Sequence, residues 1–261
     1  MTSPKQTSLE ERSIPVDFLG IGAQKAATTW LAFTLLEHPD IHIPKEKELH
    51  FWDLHFDRGA EAYAEFFNRN PTPQLRQGEF TPAYAILSQE RIRAAYELLP
   101  HVRLIYSVRN PIERAWSAAR MAIKDCGMEL VEASDQWLID HFMSKGSRNR
   151  GNYRQCLESW LEFFPNDQCL VLCYEELAKN PKQALIECCL HIGVDPSPIE
   201  TLDEERLTQR IFAGPEHEIR SSVLPKLEDL YRSEMENFPD FLNSIGKTST
   251  ALQVTKHWAT G

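Results

Sequence analysis

Long apolar runs are missing from this 261-residue sequence. The longest, residues 169–174, spans six residues, whereas a helix crossing a bilayer needs about 20. The first thirteen residues are polar and mixed in charge, without an apolar signal core, so nothing in them is expected to direct export. Zinc-type and redox-type cysteine pairs with two-residue spacing are absent as well. Four of the six cysteines (Cys126, Cys156, Cys169, Cys173, Cys188 and Cys189) sit in apolar segments. They are expected to be reduced core residues of a cytoplasmic protein, since a free thiol packs as a small hydrophobe. Positive charge is short too: 28 Lys and Arg against 38 Asp and Glu give −10. Such a surface repels polyanions, which argues against nucleic acid and anionic membranes as partners. Eleven glycines and 16 prolines do not suggest a fibrous or low-complexity chain.

What is present is a globular composition, 42% hydrophobic and 10% aromatic, with no repeat and no long linker. The length allows one large domain or two small ones. The expected division is a single domain over residues 14–245 between polar tails, 1–13 and 246–261. Several segments follow one plan, a short apolar run, a turn, then a helical pattern, as in an α/β fold with a parallel sheet flanked by helices on both faces. Strands are expected at 16–21, 77–80, 103–108 and 168–174, with helices at 28–37, around 90–99 and from Pro111 to about Lys124. Asn110-Pro111 and Asn180-Pro181 each offer an N-cap residue followed by proline at the first helical position, and Gly193 stops the second of these helices. The less regular stretches 39–70 and 125–151 are the expected source of the substrate pocket.

The sharpest local signal is Gly20-Ile21-Gly22-Ala23-Gln24-Lys25-Ala26-Ala27-Thr28-Thr29-Trp30. A strand here runs through a turn of small residues into a helix, so backbone N–H groups and a helix N-terminus face any anion placed there, with Lys25, Thr28 and Thr29 adding charge and hydroxyls. An ordinary strand-to-helix turn with an exposed lysine would look similar. The Gly-Lys-Ser/Thr ending of nucleotide triphosphatases is lacking, and the later strands end in Arg109 and in Tyr174-Glu175-Glu176 rather than in a magnesium-binding Asp. Arg109 follows the strand 103–108, at the same sheet edge as Lys25 if the strands are parallel. Its guanidinium suits a phosphate, and Ser117 one helix turn or two later adds a hydroxyl.

Together with Glu48-Leu49-His50-Phe51-Trp52-Asp53, Thr81-Pro82 before Tyr84, and Gly151-Asn152-Tyr153 before Trp160, these segments resemble the PAPS-dependent sulfotransferases. The branch they are most similar to contains the heparan-sulfate-type glycan sulfotransferases and their bacterial relatives. The resemblance covers residues 16–245 and implies a P-loop NTPase-like fold. It implies that Lys25, Ala26, Ala27, Thr28 and Thr29 hold the 5′-phosphosulfate of 3′-phosphoadenylyl sulfate (PAPS), and that Arg109 and Ser117 hold its 3′-phosphate. Ala26 and Ala27 stand where this loop usually carries at least one glycine. Ala27 would be strained by on the order of 1 kcal/mol if its position requires positive φ.

In an extended chain Glu46, Glu48 and His50 share one face. Sulfuryl transfer requires a base for the acceptor proton and a cation at the departing phosphate oxygen. The resemblance assigns these roles to Glu48 and Lys25, with His50 orienting Glu48 or acting as base itself. Phe51, Trp52, Phe80 and Tyr84 are candidate acceptor contacts. Phe80 replaces a lysine common before Thr-Pro in the glycan enzymes, which together with the −10 charge favours a small metabolite or a neutral saccharide over a polysulfated acceptor. No metal is expected, since His50 and His55 lack a third ligand at helical spacing. The alternatives are a magnesium-dependent P-loop kinase or NTPase, and a non-catalytic nucleotide-binding protein of the same fold.

Overall fold

The computed structural model of the chain describes residues 14–46, 48–68, 75–203, 205, 207 and 218–258. Its centre is β1 (Phe18–Gly22), all five residues of which are buried, as befits an inner strand of a parallel sheet covered on both faces. The sheet order is β2 (Ile41–His42), β3 (Arg76–Phe80), β1, β4 (Arg103–Val108), β5 (Cys169–Cys173), and every pairing is parallel. The chain fills one side of β1 with β2 and β3 and then crosses to β4 and β5. β1 therefore lies at the reversal point where open α/β sheets bind ligands beyond their carboxyl ends. The expected strands are all present to within a few residues, and the two-residue β2 is added by the structure.

Helices cover both faces. α1 (Thr28–Leu35) leaves the end of β1, and α2 (Gly59–Asn68) and α3 (Gln89–Leu98) flank β3 in sequence. α4 (Pro111–Asp125) leaves β4, with the Asn110 side chain accepting from the amides of Ile112 and Glu113 as its sequence predicts. α5 (Asp135–Met143), α6 (Lys145–Gly151) and α7 (Tyr153–Leu161) follow, and α8 (Tyr174–Lys179) starts directly after β5, so Tyr174 opens a helix instead of ending a strand. α9 (Pro181–Ile192) ends at Gly193, left-handed at φ 85°. The expected cap at Asn180 is not made: its side chain donates to Glu176 of the preceding helix instead. α10 (Ser197–Glu200), the long α11 (Leu224–Ser244) and α12 (Thr248–Trp258) complete the described elements.

α12 corrects the reading of residues 246–261 as a polar tail. Thr250, Ala251, Val254 and Trp258 recur at helical spacing and are buried. The Thr250 hydroxyl donates to the Val171 carbonyl at 2.8 Å, and Trp258 stacks on Phe238 with ring centres 5.7 Å apart. Burying side chains of this size contributes roughly 1.5–3 kcal/mol each, enough to fix a helix whose exposed face is Thr-, Ser- and Lys-rich. All six cysteines are free, five of them buried.

Candidate active site

The carboxyl ends of β1, β3 and β4 converge on one cavity of about 980 Å³. Each contributes through the segment that follows it. After β1, residues 23–27 turn sharply, with Lys25 at φ 71° and Ala27 at φ 64°. Ala27 thus sits in the left-handed region that the sequence made it doubtful for. It is also the N-cap residue of α1 and supplies no side-chain cap. The first amides of α1 therefore have neither an intrahelical acceptor nor a capping side chain, which leaves them oriented for an anion.

Lys25, Ala27, Thr28 and Thr29 all line the cavity. Ala26 does not: its side chain is fully buried and its amide donates to the Ala23 carbonyl at 3.2 Å, because the tight turn folds this residue into the core. The Lys25 ammonium lies 3.8 Å from the Met121 sulfur. Burial, with Arg109 and Arg120 as further cations, lowers its pKa below the usual lysine value. An anion bound among these three charges would reverse that shift.

Arg109 and Ser117 reach the same cavity. The Arg109 guanidinium donates to the Lys25 carbonyl at 3.4 Å, lies 3.5 Å from the Glu113 carboxylate and sits 4.6 Å above the Tyr174 ring. Its own carbonyl accepts from the Tyr153 hydroxyl at 2.7 Å. The Asn110 amide donates to Glu175 at 2.7 Å, and Glu175 accepts in turn from the Trp258 indole at 3.1 Å. The β4–α4 turn is thereby tied to the C-terminal helix.

Across the cavity stand Glu48 and His50. His50 Nε2 lies 3.5 Å from a Glu48 carboxylate oxygen, and His50 Nδ1 donates to Asp53 Oδ2 at 2.8 Å. Asp53 accepts only, so it places the ring proton on Nδ1 and turns Nε2 toward Glu48. His50 is left-handed at φ 49° and starts the helical turn Phe51–His55. The shared extended face expected for Glu46, Glu48 and His50 therefore breaks at His50, and Asp53 comes under the imidazole by helical spacing.

The four aromatic acceptor candidates are placed otherwise. Phe51, Trp52, Phe80 and Tyr84 are at most 2% exposed, and none lines the cavity. The corrected reading is that they form its backing. Phe80 points to the α1 side of the sheet against Phe18 and covers Gly20, where an added Cβ would fall 1.8 Å from its ring. Pro82 and Ala83 supply the cavity wall beside them. Arg150 is also on the wall, whereas Lys145 and Arg148 are not. Residues 212–220 match, by the sequence resemblance, a late loop that closes over the nucleotide; of these, 212–217 lie outside those described. Trp30, Asp53 and Tyr174 received no role from the sequence, although Trp30 and Asp53 fall within the motifs that were singled out. Among the described residues no group of three or more His, Cys, Asp or Glu is arranged to hold a metal ion, and no helix is long and apolar enough to cross a membrane.

A parallel α/β domain with a tight turn and an uncapped helix start after its central strand has a P-loop NTPase-like fold. The chain belongs to the sulfotransferase family: the family described as "Sulfotransferase domain" matches residues 15–212. Mouse heparan sulfate glucosamine 3-O-sulfotransferase 6 is 32% identical over 164 residues, 62% of this chain and 47% of the mouse enzyme. Mouse bifunctional heparan sulfate N-deacetylase/N-sulfotransferase 3 is 28% identical over 198 residues, 69% of this chain and 22% of that protein. The chain thus spans about half or less of these curated relatives. Among solved structures, a sulfotransferase from Alicyclobacillus acidocaldarius aligns with a TM-score of 0.62 and 22% identity, over 88% of this chain and 94% of its own. Mouse sulfotransferase SULT7A1 complexed with PAP aligns at 0.57 and 19%, over 93% and 89%.

Proposed function

We propose that this protein transfers a sulfuryl group from PAPS to a hydroxyl or amine of a small metabolite or saccharide. One observation carries the reading. A single cavity joins an uncapped helix N-terminus with Lys25, a second cation at Arg109 with the Ser117 hydroxyl, and the Glu48–His50–Asp53 chain. Two cationic points in one cavity suit a ligand with two phosphate-like groups, and a structural neighbour was solved with PAP. The turn at 25–29 would hold the phosphosulfate and Arg109 with Ser117 the 3′-phosphate.

Glu48 takes the proton of the acceptor as it attacks sulfur. His50, fixed by Asp53, presents its bare Nε2 to Glu48 and accepts the proton that Glu48 has taken up. Lys25 stabilises the charge that develops on the departing phosphate oxygen. With Phe80 turned into the core, its apolar character says nothing about the acceptor, so both small metabolites and saccharides belong in the trial set.

The test is a panel of neutral sugars, amines and sulfated glycans incubated with labelled PAPS in EDTA. Transfer to at least one acceptor is expected, with none from ATP in a parallel panel supplied with magnesium. Glu48→Gln is expected to slow turnover by about 10² to 10⁴, the usual worth of a positioned base, with 3′,5′-bisphosphate affinity unchanged. Magnesium-dependent phosphate transfer from ATP would establish the kinase reading instead, and bisphosphate binding without any transfer would establish the non-catalytic one.

A further inference from the structure

Behind the Glu48–His50 wall a carboxylate is buried among neutral donors. Glu79, the penultimate residue of β3, is fully inaccessible. One of its oxygens accepts from the hydroxyls of Tyr63 at 2.7 Å and Tyr84 at 2.9 Å. The other accepts from the Thr81 hydroxyl at 2.6 Å and the Leu49 amide at 3.3 Å. All four partners donate, so the group that satisfies them is the acceptor-only carboxylate. Because the hydroxyl protons of Tyr84 and Thr81 are committed to Glu79, the lone pairs of those oxygens face outward. There they accept from the amides of Phe51 at 2.9 Å and Trp52 at 3.4 Å, both on Tyr84, and of His50 at 3.5 Å, on Thr81.

Four consecutive amides, Leu49 to Trp52, are thus fixed directly or at one remove by one carboxylate. They flank or contain the two residues that face the cavity, Glu48 and His50. A lone charge in the core is costly, and burial pushes the Glu79 carboxyl up despite the hydrogen bonds that oppose it. Packing alone would be served as well by an apolar side chain between Tyr63 and Tyr84.

We infer that Glu79 is a positioning residue for the reaction, which holds the backbone of 49–52 so that Glu48 and His50 point at the acceptor. The inference rests on the function proposed above only for the identity of the reaction, not for the existence of the clamp. Glu79→Gln keeps the shape but replaces one acceptor by an NH2 donor, so at least one of the two pairs of donors loses its partner. Tyr84→Phe leaves Glu79 and its other three donors in place and removes the Tyr84 donor together with the acceptor of the Phe51 and Trp52 amides.

Two readouts separate the clamp from the chemistry. The first needs no turnover. The ring Cε1–H resonance of His50, assigned with His50→Gln, is expected to move in Glu79→Gln and in Tyr84→Phe, while those of His38 and His191 stay. The second is release of labelled sulfate from PAPS to water or to an acceptor found in the panel. In Glu79→Gln kcat is expected to fall at least tenfold while bisphosphate Kd stays within threefold, and Tyr84→Phe is expected to lose less. An unmoved His50 resonance in both variants overturns the inference. So does a kcat within threefold of the wild type, or a loss of bisphosphate affinity as large as the loss of kcat, which marks a general structural role. A wild-type protein that releases no sulfate while the His50 resonance moves as expected refutes the sulfotransfer reading and leaves the clamp standing.

Discussion

Removing the Arg109 guanidinium tests the two-anion geometry most directly. In the structure this group is one-fifth exposed and leans on Tyr174, while one Nη donates at a long 3.4 Å to the Lys25 carbonyl. On the proposed reading Arg109→Ala therefore removes a charged contact to the 3′-phosphate, and it also removes a weak strut beneath the loop 25–29. A hydrogen bond to a charged group is worth about 1.5–3 kcal/mol, which at about 1.4 kcal/mol per tenfold means roughly a 12- to 140-fold loss of affinity. Calorimetry with two ligands divides the contact from the strut. Adenosine 3′,5′-bisphosphate is expected to lose the full factor. Adenosine 5′-phosphate, which has no 3′-phosphate, is expected to lose threefold or less through the strut alone. Arg109→Lys keeps the charge without the planar fork and is expected to fall between. Equal losses for both ligands would refute the assignment, because Arg109 would then act only by supporting residues 25–27. An unaltered bisphosphate affinity would refute it outright.

Two further predictions concern stability. Ala27 is left-handed at φ 64°, a conformation that costs an L-residue about 1–2 kcal/mol and glycine nothing, although glycine loses about 0.5–1 kcal/mol more entropy on folding. Ala27→Gly is expected to raise Tm by about 1–4 °C, and a lower Tm in a thermal melt would show that the alanine is not strained. His191 is partly buried, with Nε2 at 3.0 Å from the Leu104 carbonyl, and this burial lowers its pKa to about 4. The unfolded chain protonates this ring near pH 6.5 and the folded one only near 4. Stability is therefore complete above pH 6.5 and is lost as pH falls toward 4, by up to about 3 kcal/mol. His191→Gln, which still donates to Leu104, is expected to flatten that acid limb in urea unfolding at pH 7 and 4.5; an equally steep loss in the variant would assign it to other groups.

What could be read in advance followed the range of the interactions involved. β1, β4 and β5 announce themselves as apolar runs, and the start of α4 is written in Asn110-Pro111, since strand burial and helix capping are decided within a few residues. The strain at Ala27 was equally local. α12 was hidden because Thr248, Ser249 and Thr250 look like loop, while the residues that hold it, Val171 and Phe238, are remote in sequence. Asp53 stood in plain view, yet its role depends on the turn beginning at His50, which brings positions 50 and 53 onto one side. Phe80 was misjudged for a different reason. Alternation along β3 sends Glu79 to one face of the sheet and Phe80 to the other, and only the register against β1 shows that Phe80 lies over Gly20.

Among the described residues, the three non-glycine residues at positive φ, Lys25, Ala27 and His50, all lie in the two loops that face the cavity. Backbone strain of this kind costs about 1–3 kcal/mol per residue and persists only where the surroundings over-determine it. Each loop has such a support. The first is held by its helix and by Arg109, whose own turn is fixed through Asn110, Glu175 and Trp258. The second is held by Glu79 through Thr81 and Tyr84. The loops therefore arrive at the cavity already shaped, so a bound anion and an acceptor need not organise them. In the proposed reaction the core polar groups and the C-terminal helix would act through this rigidity, at a distance from any reacting atom.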